Sequence, residues 1–174
     1  RAVNRRDRDT SGLVLLAKKP YSSCVLSDAV KDDTIHREYA AIVSGKTDAS
    51  GTIDLPIARK DGSTIERVCD PERGETAVTH YRTFAYNKDA DISFIRLLLE
   101  TGRTHQIRVH MKAIGHPLPG DFLYCPDYRF IDRQPLHSTY LSFSHPVTGE
   151  KLEFSAPLPG DMRKLFPNIK DPSG

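Results

Sequence analysis

The chain has 174 residues, with 25 Lys+Arg against 23 Asp+Glu, a hydrophobic fraction of 38% and a net charge of +2, as expected of one soluble globular domain. Its apolar run at 13–17 is far short of the roughly 20 residues that cross a bilayer. No membrane span is therefore expected; Cys24, Cys69 and Cys125, an odd number with no C-x-x-C pair, argue against a disulfide scaffold or thiolate zinc site, and the setting is read as reducing and cytoplasmic. The small net charge argues little for a nucleic-acid partner, yet 15 of the 25 basic residues are Arg, the side chain suited to bidentate phosphate contact.

In chain order, residues 12–17 read as a short buried strand and Pro20 as a helix start, with Val25, Leu26 and Ala29 on an apolar stripe through Val30. A strand is predicted over 35–43. Short segments at 52–57 and 64–69 follow, joined by the hairpin signal Lys60-Asp61-Gly62. Strands over 77–86 and 92–100 flank the polar turn Asn87-Lys88-Asp89. The period then changes: Ile107, Met111 and Ile114 share a helical face, with Thr104 as the N-cap and Gly115 as the stop. Strands at 136–144 and 151–155 flank a turn at 145–149, and 161–166 closes with a short helix. Many strands with tight turns and two substantial helices indicate an α+β fold around a largely antiparallel sheet.

Three constellations carry chemistry. The first is Arg5-Arg6-Asp7-Arg8-Asp9-Thr10-Ser11-Gly12. It reads either as a solvated ion-pair cluster or as a carboxylate oriented by arginines for nucleophilic or general-base work. The second is Gly102-Arg103-Thr104-His105-Gln106-Ile107-Arg108-Val109-His110, a helix start suited to an anion. Its histidines lack the i, i+4 spacing of a metal site, so capping and solvated contacts are expected of them. The third, His36 to Thr47, ends in Gly-Lys-Thr but has Ala40 where a phosphate loop needs Gly. Tyr39 within it reads as a half-buried packing residue. Ser11 lacks the surroundings of a hydrolase nucleophile.

Together, Asp7 to Leu13, Arg37-Glu38-Tyr39, Gly102 to His110, Gly115-His116-Pro117-Leu118, Gly120-Asp121, and the later Leu136-His137, His145 to Glu150 and Ala156-Pro157-Leu158-Pro159 segments resemble the RluA-type RNA pseudouridine synthases. The resemblance implies the fold of that family and isomerisation of uridine to pseudouridine in structured ribosomal or transfer RNA. No metal and no cofactor are implied. Asp7 is implied as the catalytic aspartate, Tyr39 as the ring that stacks on uracil and serves the C5 proton, and Arg103 as the partner of the catalytic carboxylate. Arg5, Thr10, Ser11, Thr104, His105, Gln106 and Arg108 are implied as substrate-binding. Asn4, Arg6 and Cys125 depart from the family pattern. The family domain starts some tens of residues before its aspartate, so residues 1–167 are expected to be an N-terminally incomplete catalytic domain and 168–174 a flexible tail, in a monomer. The alternative is a catalytically silent RNA-binding domain of the same fold.

Overall fold

The computed structural model describes residues 2, 3, 7–31 and 34–171. Arg5, implied at the site, lies outside the described residues, as do Asn4 and Arg6. Among the described residues no helix is long and apolar enough to cross a membrane.

The elements are β1 (Ser11–Gly12), α1 (Pro20–Lys31), β2 (His36–Ser44), β3 (Ser50–Asp54), β4 (Ile57–Arg59), β5 (Arg67–Cys69), β6 (Val78–Asn87), β7 (Ile92–Leu99), α2 (Gln106–Ala113), β8 (Leu136–Ser144), β9 (Lys151–Ser155) and α3 (Gly160–Leu165). This is an α+β fold. The main sheet runs β1-β8-β2-β7-β6-β3, with β9 also on β8, and β4–β5 form a separate hairpin. All pairings in the main sheet are antiparallel except β1 with β8.

The sheet is buried on both faces through its centre, which is why β7, Ile-Ser-Phe-Ile-Arg-Leu-Leu-Leu, reads almost continuously apolar. On one face Ala41, Val43, Ile95 and Leu97 pack on Ile107 and Met111 of α2. On the other, Ala40, Ile42, Ile92 and Phe94 pack on Met162 of α3 and on Phe166. Helix α1 places Leu26 in a third cluster with Ala17, Ile35, Leu141 and Phe143.

Two predicted strands change. Of residues 12–17 only Gly12 is in a named strand, because β9 takes over the edge of β8 from Tyr140 onward; beyond it Leu16 makes only an isolated bridge with Ala2 and is 64% exposed. The segment at 52–57 is split between β3 and β4 around Pro56, which cannot donate to a ladder. Residues 168–171, expected in a tail, dock: Ile169 packs beside Phe166, and the Asp171 carboxylate accepts the Leu158 N–H at 2.8 Å.

The short β1 fixes the loop before it. Gly12 has φ +96°, and a Cβ there would stand 2.2 Å from the Ser138 carbonyl oxygen, so only glycine allows β1 to lie this close to β8. In β2, the register against β8 shifts between Glu38 and Tyr39. The extra residue is Thr139 of β8, while the pairing of β2 with β7 is unbroken, so alternation along β2 is kept.

Candidate active site

Asp7 opens a tight turn in which the Thr10 N–H donates to the Asp7 carbonyl at 3.2 Å and Asp9 takes the left-handed φ of +67°. The turn is tied down from behind. Gln134 Nε2 donates to the Arg8 carbonyl at 2.6 Å, and Arg133 Nη1 donates to the Asp9 carbonyl at 3.0 Å. Asp7, Thr10, Tyr39, Arg103, Thr104, His105 and Gln106 line one cavity of 370 Å³. The constellation from the chain start, the strand β2 and the loop before α2 thus meet in space, although up to 99 positions separate their members in sequence. Ser11 is not among the lining residues; its Oγ bonds His137 Nδ1 at 2.8 Å and serves the β1–β8 joint.

The carboxylate partner differs from the expected one. Arg103 donates Nη1 to Glu75 at 2.6 Å and Nε to the Thr76 carbonyl at 2.9 Å, at the rim of the cavity. The guanidinium that reaches Asp7 is that of Arg108, with Nη1 at 3.2 Å from Oδ2. Arg103 precedes the helix and follows the loop outward. Arg108 lies within α2, in a stretch where residues 106–111 are all buried, and so projects under the turn of Asp7. Its other two nitrogens hold Asp121 in a bidentate pair, Nε to Oδ2 at 2.6 Å and Nη2 to Oδ1 at 2.7 Å. Arg108 is 1% exposed and Asp121 0%. Burial works against the Arg108 charge, but Asp121 and Asp7 outweigh it and raise its pKa. Asp121 Oδ1 also accepts the N–H groups of Leu123 and Tyr124. Arg108 is therefore held rigidly from behind, with one nitrogen left for Asp7.

The helix start is also revised. His105, not Thr104, is the N-cap of α2, with φ 59° and no side-chain cap bond. The loop is instead organised by Gln106, whose Oε1 accepts from Thr101 Oγ1 at 2.8 Å and the Arg103 N–H at 2.9 Å, and whose Nε2 donates to the Val78 carbonyl. Tyr124 Oη accepts the Arg67 N–H at 2.8 Å and lies 2.9 Å from His105 Nδ1, a hydrogen bond that holds the imidazole in place. Burial pushes the His105 pKa down, opposed by Asp7, and pushes the Tyr124 phenol up to about 12.

His110 is not solvated as expected. It is fully buried, accepts from Thr79 Oγ1 at Nδ1 and donates Nε2–H to the Leu55 carbonyl, both at 2.9 Å. Burial lowers the pKa of His105, His110 and His137 from the ordinary 6.5. The unfolded chain therefore takes up these protons first as pH falls below 6.5, and native stability declines from there toward the lowered native values. Unfolding free energies from urea denaturation between pH 7.5 and 5.5 should fall as pH is lowered, by up to about 1.4 kcal/mol per pH unit for each histidine, and the fall should be shallower in His110→Gln. An equal fall in both proteins would contradict the role of His110.

Residues 1–113 match the sequence profile of the RNA pseudouridylate synthase family. The chain is 51% identical over 165 residues to the uncharacterized RNA pseudouridine synthase YjbO of Bacillus subtilis, covering 94% of this chain and 57% of that one. It is 41% identical over 177 residues to the ribosomal large subunit pseudouridine synthase D of Zymomonas mobilis, covering 94% of this chain and 54% of the relative. It thus spans about half the length of the curated relatives it matches. Among solved structures, it superposes on human RNA pseudouridylate synthase domain containing 1 with a TM-score of 0.80 at 26% identity, over 90% of this chain and 68% of that one.

Proposed function

The chain belongs to the RNA pseudouridylate synthase family, and from that premise we propose that it isomerises uridine to pseudouridine in structured RNA, with Asp7 as the catalytic carboxylate. The observation that carries the reading is the arrangement of Asp7: a carboxylate on a pinned turn, gripped by the buried Arg108 and facing a cavity shared with Tyr39.

The reaction breaks the N1–C1′ bond, turns the uracil and joins C5 to C1′; the C5 proton leaves and N1 gains one, so atoms balance without any other reactant. The nucleotide must leave its stack to reach such a cavity. Asp7, aimed by Arg108, would act on the ribose, at C1′ or on the 2′ proton. Tyr39 would hold the detached uracil flat and place a hydroxyl near C5. Arg103, Thr104 and His105 would meet the RNA at the rim, and Arg5 is proposed as RNA-binding on the resemblance alone. Thr10 and Gln106 would shape the wall.

The family type is RluA-like and the substrate ribosomal RNA, a choice supported by the name of the Zymomonas relative. Residues 1–167 would form the catalytic domain, acting as a cytoplasmic monomer without metal or cofactor. The three cysteines are free thiols, in keeping with a reducing compartment. Pseudouridine mapping in RNA from cells with and without the gene tests the reading. At least one ribosomal pseudouridine should vanish on deletion and return with the wild-type gene; identical maps would overturn it.

A further inference from the structure

The charged side chain most at odds with its surroundings is Arg37. It is 5% exposed, and its Nε is buried without an acceptor. Among the described residues no carboxylate pairs with its guanidinium and no carbonyl accepts from it. Buried guanidinium groups are ordinarily paired, because an uncompensated charge in the interior is costly.

Its placement explains the exception. Arg37 lies two residues before Tyr39 on β2, so both project from one face of the sheet, about 6.6 Å apart along the strand. Both line the cavity of Asp7. The guanidinium lies against Gly102, where a Cβ would stand 3.1 Å from Nη1 and 3.6 Å from Nη2. Glycine leaves that wall open beside the charge. The same loop leads into α2, whose first turn contains no acidic residue, so the positive end of the helix adds to the field. A largely buried cation with no carboxylate partner among the described residues, facing a cavity next to a helix start, suits an anionic ligand.

We propose that Arg37 binds a backbone phosphate of the RNA strand beside the uridine held on Tyr39. The assignment rests on the isomerase reading for the identity of its ligand. In the free protein Arg37 has a buried Nε without an acceptor and no carboxylate in ion-pair range among the described residues, and its stabilising partner arrives with the substrate.

The test uses an 11-nucleotide RNA with one central uridine, bound to wild-type and Arg37→Gln protein over a range of salt. Arg37→Gln should bind about tenfold more weakly, and its slope of log K against log salt should be shallower by about 0.7. Replacing one phosphate at a time by a neutral methylphosphonate should weaken wild-type binding about tenfold at one linkage next to the uridine and leave the variant unaffected there. The variant should also melt about 2–4 °C higher, since an unpaired buried charge has gone. An unchanged salt slope and linkage profile, with a lower melting temperature, would make Arg37 a structural cation and overturn the proposal. So would a wild-type protein that does not bind the RNA, or one that inorganic phosphate protects as well as the RNA does at equal phosphate concentration. Pseudouridine formation is scored separately. Binding through Arg37 without product would overturn the isomerase reading and leave the phosphate site standing; product without an Arg37-dependent linkage would overturn the phosphate site alone.

Discussion

Asp7→Asn should reduce pseudouridine formation by at least about 10⁴-fold while changing RNA affinity by less than about threefold. The substitution keeps the shape of the side chain, and its amide oxygen can still accept from Arg108 Nη1, so the turn that presents it stays in place. The Asp7 side chain is 21% exposed and makes one ion pair with Arg108, which also limits the cost to folding. A thermal midpoint close to wild type, together with lost turnover in a single-turnover assay, would separate a chemical role from a structural one. Turnover within tenfold of wild type would remove Asp7 from the chemistry.

Arg108→Met has the largest expected effect on the fold. Asp121 would remain at 0% exposure with its charge uncompensated, and breaking one side of such a pair costs about 3–5 kcal/mol. The thioether has roughly the length of the arginine stem, so packing against the rings of Phe122 and Tyr124 is largely kept. The loss should be read by urea denaturation. Neutralising the orphan in the double variant Arg108→Met, Asp121→Asn should recover at least half of the lost stability. Activity should stay absent, because Asp7 still lacks the guanidinium that aims it. Recovery of both together would mean that Arg108 serves only the fold.

Much of the architecture was legible from period alone. The strands β2, β6, β7 and β8 and the helix α2 lie within a residue or two of the predicted spans, because each pairs a long apolar pattern with a clear turn. What failed was set by neighbours distant in sequence. Residues 13–17 are apolar enough for a strand, but the edge of β8 that they would need belongs to β9. At the site, local motifs gathered most of the cavity lining, yet the Arg partner of Asp7 was placed five residues too early. Arg103 and Arg108 look alike in a string; the helix begins at Gln106, so only Arg108 points inward. A signal was available: an arginine between Ile107 and Val109 in an apolar helix needs a buried carboxylate, and Asp121 was among the matching segments. The same reasoning would have found Arg37, which alternation places on the face of Tyr39 and Ala41. The tyrosine that hydrogen-bonds His105 carries no such signal, since Tyr124 lies in a loop that only the fold brings near.

Asp7 and Arg108 isomerising uridine is the central claim, and release of the C5 hydrogen reports it directly, because joining C5 to C1′ must expel that proton. With large-subunit ribosomal RNA labelled with tritium at uridine C5, the wild-type protein should release label in proportion to the enzyme-dependent sites, and Asp7→Asn should release none above background. Equal release by the two proteins, or none by wild type on RNA from cells lacking the gene, would contradict it.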